Sequence, residues 1–301
     1  MTVPAEPEQP RPEQATNLVP VPSVAKVWNA LLGGKDSRAV ERELVERIRA
    51  TKPDIADLAN SVHRYKQRVA DHLVRSARID QFVDCGPGYP RLGENTHDIV
   101  QKFNLEARVL YVDQNPEVLA HGRALLAVNN RIGVLDADPN DLAMIREHQG
   151  SRAVIDWDRP VGVISTMPLV FADPERVDPA KTVQGWIPHL AVGSHLALGF
   201  FAVADGLETV AATIGAMFCS ELHGGRFLPI PDIEAVFGEL DLVGPGVALC
   251  DEWPPDLDEI EVGLNSIRRC AVAGVARVRE PSHHTPSPPD SRNTHGYTIA
   301  E

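Results

Sequence analysis

Three aspartates and a pair of glycines are the residues here whose type and spacing can do chemistry. Asp84 closes the apolar run Gln81-Phe82-Val83, and Cys85-Gly86-Pro87-Gly88 follows at once. Asp113 closes a second run, RVLYVD, and Asp136 and Asp138 close a third, RIGVLDAD. Glycine has no Cβ, so a Gly-x-Gly turn lets the backbone approach a ligand closely. In doubly wound sheets the ligand lies beyond the carboxyl ends of the strands, at the switch point beside the first strand. An acid at such an end can accept both hydroxyls of a ribose through charge-assisted bonds, which suits Asp113. Asp136 can accept from the amino group of a base, and Asp84 can face an ammonium, directly or through a water. A nucleoside carrying an amino acid offers all of these groups.

S-adenosylmethionine is such a molecule, with an ammonium, a sulfonium, a ribose diol and an adenine amine. Nicotinamide dinucleotides also use a glycine turn and a later acid on the ribose. Their fingerprint asks for a third glycine at position 91, where this chain has Arg91, and Gly93 is out of register. A pyrophosphate is also a poor neighbour for Asp84. The pattern therefore favours S-adenosylmethionine as cofactor, with Asp84, Gly86, Gly88, Asp113 and Asp136 as the binding set. An NAD-dependent oxidoreductase is the weaker alternative.

The elements that must hold these residues follow from periodicity and breakers. The first eighty residues read as helices. One runs through VAKVWNALLGG behind Ser23 as cap, and a second, RAVERELVERIRAT, starts from Asp36 or Ser37 and stops before Pro53. A third places Leu58, Val62, Tyr65, Val69 and Leu73 at spacings of three and four. Strands are then expected at 81–84, 108–113, 131–138, 161–167 and 193–202, with helices at NTHDIVQKF, PEVLAHGRALLAV, NDLAMIREHQ and DPAKTVQGWIPHL between them. Such alternation builds a parallel sheet covered on both faces. A helix at 232–240, a broken strand at 241–249 and a long strand at 268–278 end the pattern. The last two strands have little chain between them and are expected to pair as antiparallel neighbours. The fold class is thus α/β: a mostly parallel seven-stranded sheet with one antiparallel strand, the outline of the class I methyltransferase variant of the Rossmann fold.

Composition fits this reading. The chain has 301 residues, 43% of them hydrophobic, enough for one large α/β domain. A formal net charge of −13 argues against a partner held through nucleic-acid phosphates. Cys85, Cys219, Cys250 and Cys270 are scattered, which suggests neither a disulfide framework nor a metal site and fits a reducing cytoplasm. No stretch is long and apolar enough for a membrane span, and the proline-rich start lacks the pattern of a signal peptide. The expected organisation is a disordered tail at 1–20, a helical cap at 21–80, the sheet domain at 81–279 and a second disordered tail at 280–301. His283 and His284 read as solvated residues of that tail.

The same sequence resembles an actinobacterial family of S-adenosylmethionine-dependent methyltransferases, formerly a domain of unknown function. The resemblance runs from Pro22 to Arg277. It is carried by PSVAKVWNALLGGKDSRAVERELVERI, LANSVHRY, IDQFVDCGPGYP with ENTHDIVQ, RVLYVDQNPEVLAHGRALL, LDLVGPGVALCDEWPPD and AVAGVARV, in that order. It implies a Rossmann-like fold and S-adenosylmethionine as cofactor, with Asp84, Gly86 and Gly88 in the cofactor turn and Asp113 at the ribose. Asn95, His97, Asn60, Arg68, Gly33, Gly34, Lys35 and Asp36 also fall on family signature positions. There are departures. Pro87 replaces the small residue usual between the glycines and removes a backbone donor that can meet a carboxylate. STMPLVFAD stands where the family has Leu-His and an apolar residue, and the third-strand acid aligns only after a one-residue shift.

Methyl transfer is an in-line displacement, so the protein chiefly aligns nucleophile and methyl carbon. A base is needed only for a nucleophile that starts protonated. No catalytic residue stands out. His97 is the candidate, against a helix-capping role, and Tyr89 can border the methyl group or pack on the turn. His189 and His195 read as structural, Trp28 as an apolar anchor or part of a lid, and Lys35 and Asp36 as possible lining of the pocket mouth. The acidic chain with no separate recognition domain points to a small-molecule acceptor, with a protein acceptor as the open alternative. Pro87 and the altered segment motivate the alternative of an S-adenosylmethionine-binding sensor without turnover.

Overall fold

The computed structural model describes residues 21–127, 129–254 and 262–280. The expected tail at 1–20, nearly all of that at 280–301 with His283 and His284, and most of the loop after Trp253 lie outside the described residues.

Three helices come first: α1 (Val24–Leu31), α2 (Ala39–Thr51) and α3 (Ile55–Arg75). The alternating part follows as β1 (Gln81–Cys85), α4 (Thr96–Val100), β2 (Arg108–Asp113), α5 (Pro116–Leu125) and β3 (Ile132–Asp136). It continues with α6 (Leu142–Glu147), α7 (Gln149–Arg152), β4 (Gly162–Ser165), α8 (Pro179–Trp186) and β5 (His195–Ala202). The last elements are α9 (Glu208–Leu222), β6 (Phe227–Leu228), α10 (Ile230–Phe237), β7 (Asp241–Leu249) and β8 (Ala271–Arg277).

The strands form one sheet in the order β3-β2-β1-β4-β5-β8-β7, with the two-residue β6 beside β5. That makes eight strands rather than seven. β8 runs antiparallel to both β5 and β7, and the other pairings are parallel. Every residue of β1, β4 and β5 is buried, because helices cover both faces of the central sheet. This is why those strands read as continuous apolar runs. The break in β7 is a register shift between Val243 and Ala248, where Gly244 and Gly246 take positive φ around Pro245.

α9 has no counterpart among the elements expected from sequence. Its sequence, ETVAATIGAMFCSEL, is small and apolar nearly all round, and its cap position is Leu207. It therefore lacks both a polar stripe and a start signal. Two caps also differ from expectation. α2 starts from Arg38, whose backbone and guanidinium both bond the buried Glu41 carboxylate, rather than from Asp36 or Ser37. Ser23 precedes α1 without a capping bond; its hydroxyl accepts from Asn115 Nδ2 at 2.9 Å.

The N-terminal helices share one hydrophobic core with the sheet: Val27, Ile48, Ile55 and Tyr65 belong to the cluster that holds Phe82, Val163 and Leu198. Tyr65 donates its hydroxyl hydrogen to the carbonyl of Gly274 on β8 at 3.1 Å. α3 is fastened again from the loop after β7. Arg68 donates to the carbonyls of Trp253 (2.9 Å) and Cys250 (2.5 Å), and buried Asp251 accepts from Ser61 Oγ (2.6 Å) and Arg268 Nε (2.9 Å). Burial alone pushes the Asp251 carboxyl up, but the bonds from Arg268 and Ser61 outweigh it and hold it below the usual range. α3 is thereby fixed across the carboxyl end of β1. Among the described residues no helix is long and apolar enough to cross a membrane.

Candidate functional site

A cavity of about 730 Å³ opens at the carboxyl ends of β1, β2, β3 and β4, under α1 and α3. This is the switch point of the sheet, where β1 lies between β2 and β4. Parallel register brings the strand ends together, pairing Asp84 with Tyr111, Cys85 with Ser165 and Asp113 with Asp136.

Asp84 is the most buried charge on the cavity wall, 1% exposed. Its Oδ2 accepts from Thr96 Oγ1 at 2.6 Å and sits 2.8 Å from Lys66 Nζ. Its Oδ1 is buried with no partner. An acceptor left this way is costly unless a ligand donor completes it. Gly86 and Gly88 carry φ of +67° and +72°. A Cβ on Gly88 would meet nothing within 4 Å, so open space lies against this backbone, whereas one on Gly86 would meet Pro168 Cγ at 2.6 Å.

Asp113 lines the cavity at the end of β2, where its Oδ1 accepts the Asn115 amide at 2.8 Å. Burial pushes its carboxyl up, opposed by the amides of Asn115 and Gln114. Beyond β3 the wall is built by Asp138 and Asn140. Asp138 Oδ1 accepts the Asn140 amide at 2.8 Å, while Asn140 Oδ1 is buried and unpartnered. Two acceptors thus stand where a base bearing an amino group can donate. A third stretch of wall is apolar, formed by Val24, Trp28, Met167, Phe171 and Val177. Trp28 stacks on Phe201 at 5.7 Å and meets the edge of Phe171 at 5.9 Å.

His63 and Glu94 complete the rim near α3. His63 Nε2 lies 2.8 Å from Glu94 Oε2, which also accepts from Arg91 Nε at 2.8 Å. The bond from Arg91 holds the Glu94 carboxyl below its usual range, and burial lowers the His63 imidazole. Nε2 also lies 3.2 Å from Gln67 Nε2; a proton on Nε2 directed at the carboxylate would leave the lone pair on Nδ1.

Comparison with known proteins gives the family of the chain. The chain matches the family described as S-adenosyl methyltransferase over residues 12–279. The chain belongs to that family. A structure from Thermobifida fusca assigned as a methyltransferase has 32% sequence identity and a TM-score of 0.79, covering 86% of this chain and 96% of that one. A DUF574-family protein from Streptomyces avermitilis has 27% identity and a TM-score of 0.77, covering 85% and 97%. No curated protein matches the chain in sequence. The family and the fold make this an S-adenosylmethionine-dependent methyltransferase.

The cavity of the methyltransferase fits that cofactor. The unpartnered Asp84 Oδ1 suits an ammonium, the Gly88 backbone leaves room for close approach, Asp113 suits the ribose diol, and Asp138 with Asn140 suits the adenine amine. Of the positions expected from sequence, Asp84, Gly86, Gly88, Asp113, Asn95, Tyr89 and Trp28 lie on the cavity wall. Tyr89 turns its hydroxyl to Glu117 Oε2 at 2.9 Å, which Lys26 on α1 also reaches.

Three expectations need correction. Asp136 is exposed and outside the lining, because β3 turns it away and the chain then brings Asp138 round instead. His97 is also outside the lining. Its backbone N–H donates to Tyr111 Oη at 2.9 Å, and that hydroxyl donates to His97 Nδ1 at 2.7 Å. The imidazole thus bonds a cavity tyrosine and does not itself face the cavity. Lys35 and Asp36 are exposed and outside the lining; the Asp36 amide bonds Asn29 Oδ1 at 3.2 Å.

Lys66, His63, Glu94 and Asn140 were not foreseen. Val62, His63 and Lys66 share one face of α3 by their spacing of three and four, which is the signal available in sequence. Asn140 follows the strand-three acids by two residues and carries no such signal. The segment Thr166-Met167-Pro168, which departs from the family pattern, forms wall rather than filling the cavity.

Proposed function

We propose that this methyltransferase alkylates a small molecule with an apolar, ring-sized body by in-line displacement, in the cytoplasm. The observation that carries the reading is the division of one cavity wall into two parts. The polar part, from Asp84 to Asn140, suits the cofactor's ammonium, ribose diol and amine, and we assign the apolar side chains Val24, Trp28, Phe171 and Val177, next to Asp173 and Arg176, to the acceptor. A cavity of about 730 Å³ is also within the range of small-ligand sites, about 300–1,000 Å³. The net charge of −13 supports an acceptor other than nucleic acid.

When bound, S-adenosylmethionine supplies an electrophilic methyl group on a sulfonium. The protein's share is binding, alignment and exclusion of water. Asp84, Asp113 and the Gly86–Gly88 turn fix the orientation of the cofactor, and effective alignment of this kind supplies much of the rate in a displacement. Trp28 and Phe171, packed against Phe201 and set edge to face with each other, give the acceptor an apolar corner. For an acceptor that begins protonated, His63 is the group on the wall that can take the proton. Burial lowers its imidazole, which favours the neutral form, and a proton on Nε2 toward Glu94 would leave Nδ1 free to accept one.

Incubation with methyl-tritiated S-adenosylmethionine and a cell extract split into metabolites and macromolecules tests this. Label should appear in the metabolite fraction, and Trp28→Ala should lower it. Label confined to protein or nucleic acid would refute the small-molecule reading.

A further inference from the structure

We propose that Lys66 binds the carboxylate of the cofactor's amino-acid end, so that Asp84 and Lys66 together read an α-amino acid zwitterion. This rests on the S-adenosylmethionine reading of the cavity and names a recognition residue within it. Lys66 projects from α3 with its side chain 14% exposed, and its Nζ lies 2.8 Å from Asp84 Oδ2 and 3.4 Å from the Pro87 carbonyl. An ammonium has three N–H donors. Two are directed at Asp84 and Pro87, and the third is left on a residue that lines the cavity. Asp84 is half used in the same way: Oδ2 takes Lys66 and Thr96, while Oδ1 is buried without a partner.

A lysine present only to neutralise Asp84 would leave that Oδ1 orphaned, which proteins avoid. An α-amino acid completes both groups at once, since its ammonium and carboxylate flank a single carbon. Pro87 strengthens the case. Between the two glycines of such a turn a backbone N–H can meet the carboxylate, and proline has none. Lys66 Nζ, 3.4 Å from the Pro87 carbonyl, brings a charged donor to the same turn that lacks this backbone donor. The departure at Pro87 and the partly buried lysine on α3 then form one compensated arrangement.

The test is calorimetric titration of the full chain with S-adenosylmethionine and with decarboxylated S-adenosylmethionine, which keeps the ammonium and lacks the carboxylate. Wild type, Lys66→Met and Lys66→Arg are compared. Hydrogen bonds to charged groups correspond to roughly ten- to hundredfold in affinity. Wild type should prefer S-adenosylmethionine by that factor. Lys66→Met should lose the preference while still binding the decarboxylated ligand, and Lys66→Arg should keep part of it. Using the ratio cancels any change at Asp84, because both ligands carry the ammonium. Lys66→Gln replaces Lys66→Met if the latter does not fold. A preference that survives removal of Lys66, or a wild type that does not discriminate, would overturn the proposal. A wild type that binds neither ligand would overturn the cofactor reading, and this proposal with it.

Discussion

The two glycines of the cofactor turn make different demands, and alanine at each should separate folding from binding. Both have positive φ, +67° at Gly86 and +72° at Gly88, so either alanine carries a left-handed penalty of about 1–2 kcal/mol. At Gly86 the added Cβ also meets Pro168 Cγ at 2.6 Å and Cδ at 3.0 Å. A proline ring cannot swing aside, so overpacking adds about 1–3 kcal/mol. At Gly88 the Cβ meets nothing within 4 Å, and the residue lines the cavity proposed to hold the cofactor. Gly86→Ala should therefore cost roughly 2–5 kcal/mol of stability, and Gly88→Ala only about 1–2 kcal/mol. Binding should show a distinct loss for Gly88→Ala, about tenfold or more, since 1.4 kcal/mol of steric conflict already gives that factor. Thermal unfolding of the free proteins and calorimetry with S-adenosylhomocysteine read the two effects. Equal destabilisation by the two alanines, or full affinity in Gly88→Ala, would refute the reasoning.

Other consequences follow from the fastening of α3 and from the buried histidines. Asp251→Asn should destabilise by about 1–3 kcal/mol, because Arg268 and Ser61 lose a charged acceptor, though Arg268 remains partly solvated. Since the folded Asp251 carboxyl is held below its unfolded value near 3.9, its contribution is present above about pH 4 and is lost as pH falls further. The variant's acid-unfolding curve should accordingly be flatter there, and an unchanged curve would contradict the assignment. Burial lowers His63, His97 and His195. Below about pH 6.5 the unfolded chain then binds more protons than the folded one, so stability should drop as pH falls from about 7 toward 5. His97→Gln should remove part of that drop, measured as melting temperature against pH, because protonation of Nδ1 otherwise breaks its bond from Tyr111.

The alternating strands and the acids at their ends were legible because central parallel strands are buried on both faces and stop at polar residues. The antiparallel end of the sheet was legible from the lack of a clear crossover-helix pattern between β7 and β8. α9 was not, since a helix of small apolar residues has no polar stripe to betray its period. The site was read along the chain, strand end by strand end, and this shows in what it missed. Lys66 and His63 come from a helix that precedes the first strand and reach the cavity only because Arg68, Ser61 and Tyr65 fix α3 against the far end of the chain. Asp136 and Asp138 are two residues apart on the same motif, and only the turn after β3 decides which one faces the ligand. His97 looked catalytic by proximity to the glycine turn, yet its ring bonds Tyr111 on the neighbouring strand, a contact between residues fourteen apart.

The most direct test of the central claim is calorimetric titration with S-adenosylmethionine, S-adenosylhomocysteine and NAD, on wild type and on Asp113→Ala. Asp113 lines the cavity, and if its carboxylate accepts from the ribose diol, its removal should weaken both adenosyl ligands by roughly ten- to a hundredfold. NAD should not bind. A folded wild type that binds neither adenosyl ligand, or an Asp113→Ala variant that binds them as tightly as wild type, would contradict the account of this cavity as the cofactor site.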